Sequence, residues 1–127
     1  MIFENRITLI PFEKNDFRRL ISWILNERDL LVFAGPIFKF PLDEEQLQKY
    51  INDPNRFPFK IVHNLDSKVI GHLEAYKTAN NTFKICRVLI GDINYRSKGY
   101  ASEALKLLID YCTNNFNTKY IELNVYD

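Results

Sequence analysis

The sequence predicts a mixed α+β fold in which helices pack on a largely antiparallel sheet. The hydrophobic patterns follow the order strand, two helices, three strands, helix, strand along the 127 residues. Short polar turns join the three consecutive strand patterns, as in an antiparallel meander. No repeat, low-complexity tract or linker interrupts the series, so we expect residues 1–127 to form a single domain.

The first two elements are a strand and a helix. Apolar residues alternate over Ile7–Phe12, which predicts a strand that ends before a polar turn. Asp16 is a suitable N-cap residue for a helix whose apolar side chains recur at helical spacing. These apolar side chains are Phe17, Leu20, Ile21, Ile24 and Leu25.

The segment Asp29–Pro41 combines large apolar residues with one glycine and two prolines, so we expect it to be irregular. It either lines a substrate cleft or covers the core, and the pattern does not choose between the two. A second short helix is predicted to begin at Asp43, where Gln46 resembles the second member of a capping box. This helix should end at Asn52, because Pro54 follows shortly after.

The second half of the chain is predicted to contain the meander, one long helix and a last strand. The three strand patterns cover residues 57–64, 68–79 and 82–92. An amphipathic helix follows over residues 101–116, with apolar side chains on one side and charged ones on the other. Alternation over residues 119–127 predicts the final strand.

Composition excludes several classes of protein. Seventeen Lys and Arg balance sixteen Asp and Glu, so no strong field favours nucleic acid as a partner. Cys86 and Cys112 lie in apolar stretches, as buried thiols do, and neither His63 nor His72 has a second ligand type at metal-like spacing. We expect no metal site. Without a signal peptide or an apolar run of about 18 residues, a cytoplasmic protein with no membrane contact is predicted.

The most informative segment is the loop between the third strand of the meander and the long helix. The loop places Gly99 next to the helix start, where backbone N–H groups lack internal partners and the peptide dipoles create positive potential. Arg96 and Lys98 add charge, and a glycine lets a ligand approach the backbone closely. The pattern therefore indicates an anion site, although an ordinary solvated helix start has the same local features.

This loop resembles a known motif. Residues Arg96–Ala101 are similar to the Arg/Gln-x-x-Gly-x-Gly/Ala signature of the GNAT acetyltransferases, and in particular of the ribosomal-protein N-terminal acetyltransferase branch. Residues 88–92 look like the fourth strand of that family, residues 99–105 like the start of its third helix, and residues 121–126 like its fifth strand. The similarity covers the chain in element order and reaches motif level over residues 86–127.

Two residues depart from the family pattern within the loop. Ala101 stands where many members have glycine, a change that the family tolerates, and Ser97 stands at another frequent glycine position. The resemblance implies the three-layer acyl-CoA N-acyltransferase fold, with acetyl-CoA as cosubstrate and transfer of its acetyl group to a primary amine. It also implies that backbone amides of the loop cradle the CoA pyrophosphate, with the pantetheine arm along the fourth strand. The implied cofactor-binding residues are Leu89, Gly91, Arg96, Ser97, Lys98, Gly99, Tyr100, Ala101 and Ser102.

Attack by a neutral amine requires a group that removes a proton. Glu74, on the second strand of the meander, is our candidate catalytic base or the anchor of a water relay. The alternative for Glu74 is a solvated carboxylate on the face of a strand. Asp92 and Glu122 are weaker candidates, and His72 would titrate in a useful range if it were not structural.

The family continues past its fifth strand into a helix and two further strands, and that helix supplies a Tyr used as general acid. The sequence ends at Asp127, and Tyr126, on the strand, does not match that Tyr. We therefore expect an incomplete domain, either as part of a longer enzyme or with its open edge covered by a second copy in a homodimer. The edge would carry Ile121, Leu123 and Val125.

Two functions remain open at this stage. The first is an enzyme that acetylates a protein N-terminus, a polyamine, an amino sugar or an aminoglycoside. The second is a module that binds CoA without useful turnover, because the acid is missing. Nucleic-acid binding through Arg96 and Lys98 would require a wider basic surface than the balanced charge suggests.

Overall fold

A single mixed sheet organises the computed structural model, which describes residues 2–3 and 6–124. In this part of the chain the sheet has six strands in sequential order, antiparallel except for the last pair. The strands are β1 (Ile2–Phe3), β2 (Ile7–Pro11), β3 (Arg56–His63), β4 (Lys68–Ala79), β5 (Thr82–Ile90) and β6 (Tyr120–Asn124). Because β5 and β6 are parallel, a crossover must join them, and a long helix supplies it.

Four α-helices complete the described fold. They are α1 (Phe17–Trp23), α2 (Glu27–Ala34), α3 (Glu44–Ile51) and α4 (Tyr100–Phe116). Short 3-10 turns lie at Lys14–Asp16, Gly35–Ile37 and Ile93–Tyr95. No described helix has the length and apolar character needed to cross a membrane.

Two separate hydrophobic clusters hold the helices on the sheet. The first joins the strands to α4 and is centred on wholly buried side chains such as Ile61, Leu73, Ile85 and Leu108. The second joins α1, α2 and α3 to each other and to Phe12. Helices therefore cover both faces of the sheet, as the α+β prediction required, and the antiparallel meander of β3, β4 and β5 is confirmed.

The first helix is shorter than predicted. It ends at Trp23, and Ile24 is already extended, so Leu25 lies outside the helix with 76% of its surface exposed. Asp16 occupies the N-cap position of this helix, as predicted, but its side chain makes no cap hydrogen bond. Its buried carboxylate instead accepts hydrogen bonds from Lys60 and Arg19 and from the Glu13 backbone N–H.

The prediction of an irregular segment from Asp29 to Pro41 is wrong in its first half, where α2 forms. Asn26 provides the signal that sequence analysis missed: its side chain caps α2 by accepting a hydrogen bond from the Asp29 backbone N–H at 2.8 Å. The helix buries Leu30 and Phe33 against the second cluster and ends at Gly35, whose φ of 61° is left-handed.

Only half of the expected capping box forms at α3. The Asp43 side chain accepts from the Gln46 backbone N–H at 2.9 Å, as predicted. The Gln46 side chain does not return the bond to Asp43; it binds the backbone of Lys39 and Pro41. Gln46 therefore fastens the non-helical end of the Asp29–Pro41 segment to α3.

The last strand forms where it was predicted, and it begins at Tyr120, one residue later than expected. It pairs with β5 in a register that runs from Tyr120 opposite Thr82 to Asn124 opposite Cys86. Val125 and Tyr126 lie outside the described residues. Ile121 packs against the first cluster, whereas 53% of Leu123 is exposed. The expected apolar edge is thus half covered within the described part of the strand.

Candidate functional site

The loop from β5 to α4 has a backbone that only certain residues adopt. Gly99 directly precedes α4 and has a φ of 85°, and Ser97 has a φ of 61°. Both values lie in the left-handed region, which is natural for glycine and costly for most other residues. A side chain on Gly99 would also come within 3.4 Å of the Arg6 guanidinium.

This loop is suited to an anion. The Glu103 N–H already bonds to the Gly99 carbonyl at 3.1 Å, which closes the first turn of α4. The N–H groups of Tyr100, Ala101 and Ser102 precede that bond and have no acceptor within the helix. A helix of 17 residues adds its dipole, so the residues present fit the pyrophosphate of a CoA-type cofactor.

Arg96 and Lys98, the two cationic residues predicted to bind the anion, are both exposed, but only the Arg96 side chain is held by a hydrogen bond to the backbone. Arg96 turns back and donates from Nε to the Ile90 carbonyl at 2.7 Å. Lys98 is exposed, and its carbonyl accepts a hydrogen bond from Arg6 at 3.0 Å. Arg6 was not among the predicted site residues, because it lies more than ninety positions earlier in the chain.

A second set of side chains fixes the opposite flank of the loop. His63 binds Asp66 at 3.0 Å and the Tyr100 hydroxyl at 2.9 Å, and Tyr95 donates its hydroxyl to Asp66. The Tyr95 bond lowers the pKa of Asp66 to about 2, and the same bond raises the pKa of Tyr95 to about 12. Asp66 is thus a carboxylate and Tyr95 a neutral phenol throughout the physiological range. Lys68 pairs with Asp92 at 2.9 Å on the same flank.

A groove of about 550 Å³ leads from this loop along β5. Leu89, Gly91 and Arg96, three of the predicted cofactor-binding residues, line it together. Helices α1 and α2 form its other wall. Trp23 lies directly on Gly91, so that a Cβ there would be 1.9 Å from the indole ring. Gly91 therefore makes room for Trp23, which sequence analysis did not identify.

The predicted catalytic base lies in a buried charge network beneath α3. Glu74 has no exposed surface, and the Arg56 Nε donates to its carboxylate at 3.1 Å. Arg87 lies 3.3 Å from the same oxygen, and the Tyr50 hydroxyl donates to the other one. The expected alternative, a solvated carboxylate on a strand face, is wrong.

A bulge in β5 brings Arg87 to this network. The register between β4 and β5 shifts between His72 and Glu74, and Arg87 has a φ of 53°. Arg87 and Val88 together oppose the single residue Leu73, which is the geometry of a β-bulge. No hydrophobic pattern in the sequence marks such an extra residue.

The hydrogen bonds of the network define the tautomer of His72. Because Tyr50 gives its only proton to Glu74, its oxygen must accept from the His72 Nε2 at 3.0 Å. His72 Nδ1 then carries a lone pair, and it has no hydrogen-bond partner among the described residues. Burial, with Arg87 nearby, lowers the pKa of His72 to about 3. Of the two alternatives for His72, the structural one therefore holds: it is buried and does not titrate in a useful range.

The weaker carboxylate candidates lie elsewhere. Asp92 caps the turn before the loop by accepting from the Asn94 N–H at 3.0 Å, and the Lys68 ammonium lowers its pKa. Glu122 is exposed on β6, opposite Lys84 of β5. The described residues contain no group of His, Cys, Asp and Glu that could hold a metal ion.

The fold and this loop together define an acyltransferase of the CoA-dependent type. The chain matches the family model of the acetyltransferase (GNAT) domain over residues 6–127 and belongs to that family. It is by class an acetyl-CoA-dependent N-acetyltransferase.

Solved structures of other acetyltransferases share this fold. One is a spermidine N-acetyltransferase from Vibrio cholerae in complex with CoA and spermine, with 21% identity, a TM-score of 0.75, and coverage of 96% of this chain and 72% of that one. A GNAT acetyltransferase from Bacillus anthracis has 22% identity and a TM-score of 0.70, with coverage of 94% and 70%. An aminoglycoside acetyltransferase in complex with coenzyme A and kanamycin has 16% identity and a TM-score of 0.73, with coverage of 94% and 74%. At these identities the likeness shows the fold.

The neutral, buried His72 makes stability depend on pH. Its folded pKa of about 3 lies below the ordinary histidine pKa of 6.5, so between these values the unfolded chain binds a proton that the folded chain does not. Folding stability from this group is present above pH 6.5 and is lost as the pH falls toward 3. We expect the stability difference between the wild type and His72→Gln to shrink by up to about 1.4 kcal/mol per pH unit below 6.5.

Urea unfolding of both proteins at pH 7, 6, 5 and 4 measures this difference. All other titrating groups are shared by the two proteins and cancel in the comparison. A difference that stays constant over this range would mean that His72 titrates alike in the folded and unfolded chains.

Proposed function

We propose that this protein transfers the acetyl group of acetyl-CoA to a primary amine of a small molecule or protein, with the cofactor held between the start of α4 and the groove along β5. The observation that carries the proposal is the continuity of the two features. Arg96 belongs both to the loop at the start of α4 and to the lining of the groove. An anion bound at the loop would therefore have its attached chain directed along Leu89 and Gly91.

Each part of this site has a separate task. Acetyl-CoA supplies the reactive thioester when it is bound. The N–H groups from Ser97 through Ala101 would bind the pyrophosphate, and the Ser102 hydroxyl, which is exposed, would add a further donor. The Arg96 N–H, also predicted to bind it, already donates to the Ile93 carbonyl at 3.4 Å. Trp23 and Leu89 would exclude water from the arm of the cofactor.

The proton that the amine must lose has one proposed acceptor, Glu74. A wholly buried carboxylate receives a substrate proton only through an intervening group, and Tyr50 is the described neighbour that donates a hydroxyl to it. The carboxylate of Glu74 is already paired with the guanidinium groups of Arg56 and Arg87. Its role in catalysis stays a prediction, alongside a purely structural role.

The cofactor site is tested by Gly99→Asp. A carboxylate at this position would crowd and repel the pyrophosphate, so we expect the affinity for acetyl-CoA to fall by about a hundredfold or more. Isothermal titration calorimetry with acetyl-CoA measures the effect. Asn81→Asp is a matched control, because it adds the same charge at another left-handed position, in the turn between β4 and β5.

Equal affinities of the wild type and Gly99→Asp would reject this loop as the cofactor site. If the wild type binds acetyl-CoA tightly but releases no CoA with any amine tested, a CoA-binding module is favoured over an enzyme.

The two roles of Glu74 are separated by Glu74→Gln. The substitution leaves two buried guanidinium groups with less negative charge, so we expect the free energy of unfolding to fall by about 3 kcal/mol. Glu122→Gln makes the same chemical change at an exposed strand position and should alter stability by no more than about 0.5 kcal/mol. Urea unfolding and CoA release are measured on both variants. A Glu74→Gln protein that is as stable as the wild type but does not turn over would identify Glu74 as catalytic.

The lining of the groove favours one class of acceptor. Most of its side chains are apolar: Trp23, Ile24, Leu25, Val32, Phe33, Val88, Leu89 and Ile93. Its charged side chains are two guanidinium groups, of Arg28 and Arg96, and one carboxylate, of Asp29. Asp29 already accepts a hydrogen bond from the Leu25 backbone at 3.1 Å. We therefore propose an acceptor with a single amine on an apolar body, because the groove offers mainly apolar surface and a polycation would meet only one carboxylate there, which already accepts a hydrogen bond.

Acceptor choice is measured as CoA release with phenethylamine and with spermidine at equal concentrations. We expect kcat/KM to be at least about tenfold higher for phenethylamine than for spermidine. A tenfold ratio is the lower end of what a small difference in apolar contact between two substrates produces. A preference for spermidine would contradict the acceptor proposal and leave the cofactor site untouched.

A further inference from the structure

We propose that Arg6 is a positioning residue that orients the phosphate loop for the CoA pyrophosphate. The inference rests on the proposed function, and it assigns the loop geometry to a side chain from the start of β2. Arg6 lies far from the loop in sequence and makes no part of the motif that marks the loop.

One guanidinium contacts the loop and the first turn of α4 together. The Arg6 Nη2 donates to the Lys98 carbonyl at 3.0 Å, and both Nε and Nη2 bind the Glu103 carboxylate. The guanidinium carbon lies 4.3 Å from the centre of the Tyr100 ring. Arg6 is also the nearest neighbour of the position that a Gly99 Cβ would occupy.

The bond to Lys98 sets the direction of the next amide. In a trans peptide the carbonyl and the following N–H point in opposite directions. When Arg6 holds the Lys98 carbonyl on its own side of the loop, the Gly99 N–H must point to the other side. This amide is among those proposed to bind the pyrophosphate, so Arg6 turns it outward before the cofactor arrives.

The loop needs a contact that holds its conformation, because its backbone dihedral angles are energetically unfavourable. Ser97 and Gly99 both have positive φ, and Lys98 lies between them. A serine in the left-handed region is unfavourable by itself, so an untied loop would spend time in other conformations. A charge-assisted hydrogen bond to the residue between the two left-handed positions stabilises this one arrangement.

The ion pair with Glu103 gives Arg6 a second way to favour binding of the pyrophosphate. The carboxylate lies in the first turn of α4, where it would repel a bound phosphate. Pairing with Arg6 compensates that charge while keeping the guanidinium in place. Removing Arg6 would therefore both release the Gly99 amide and expose the pyrophosphate to an unpaired carboxylate.

The test compares two acetyl donors that differ only in the part the loop would bind. Acetyl-CoA carries the pyrophosphate, and S-acetylpantetheine lacks it. For Arg6→Ala we expect the Kd for acetyl-CoA and its KM to rise by about tenfold, the value of one charge-assisted hydrogen bond, with kcat nearly unchanged. The kcat/KM for S-acetylpantetheine should stay within about twofold of the wild type, because that donor does not reach the loop.

Three further variants make the result specific. Arg6→Lys keeps the charge but cannot bridge Lys98 and Glu103 with one planar group, so we expect an intermediate loss. It also serves as the test if Arg6→Ala fails to fold, which circular dichroism detects. Arg6→Ala combined with Glu103→Gln should recover part of the affinity. Arg18→Ala is the control, since 90% of the Arg18 side chain is exposed on α1.

An equal loss with both donors would overturn the proposal, because it would identify Arg6 as a general staple between β2 and α4. Unchanged affinity of the Arg6 variants for acetyl-CoA would overturn it as well. A wild-type protein that does not bind acetyl-CoA would instead reject the proposed function on which the inference rests.

Discussion

The start of α4 is the constraint on which the site depends. A 3-10 turn and a short loop join β5 to this long helix, and the chain enters the helix through a glycine in the left-handed conformation. The first N–H groups of the helix have no acceptor within it. Side chains from the residue before β2, from β3 and from the turn after β3 surround this point: Arg6, His63 and Asp66. The anion site is thus a product of sheet order as much as of the loop itself.

The opposite face of the sheet has a different kind of constraint. Glu74 is buried with two guanidinium groups, a tyrosine hydroxyl and the thiol of Cys86 nearby. Desolvation of such a carboxylate is expensive unless its partners are held in place, and the bulge at Arg87 and the Tyr50 side chain of α3 meet that requirement. The network joins the second hydrophobic cluster to the sheet next to the groove. The contacts by which Glu74 stabilises the fold are therefore the same contacts that any catalytic role of Glu74 would use.

The groove lies between the start of α4 and the buried network around Glu74, and elements next to both regions form it. Its floor is the end of β5, and its wall comes from α1 and α2. The helix α2 was unexpected because a stretch with Gly35, Pro36 and Pro41 has the composition of a loop. The cap at Asn26 and the burial of Phe33 stabilise it in spite of that composition, which places Arg28 and Asp29 at the groove. Tertiary packing therefore decides which side chains an acceptor meets.

The sequence by itself determined the order of the elements apart from β1 and α2, and with it the antiparallel meander, the long helix α4 and the loop around Gly99. These features follow from periodicity and from glycine, which act over a few residues. Only the tertiary structure decided that Arg6 contacts Lys98, that Trp23 covers Gly91, and that Glu74 and His72 are buried rather than solvated. Such contacts join residues far apart in the chain, so they depend on strand register and helix packing, which no local pattern encodes.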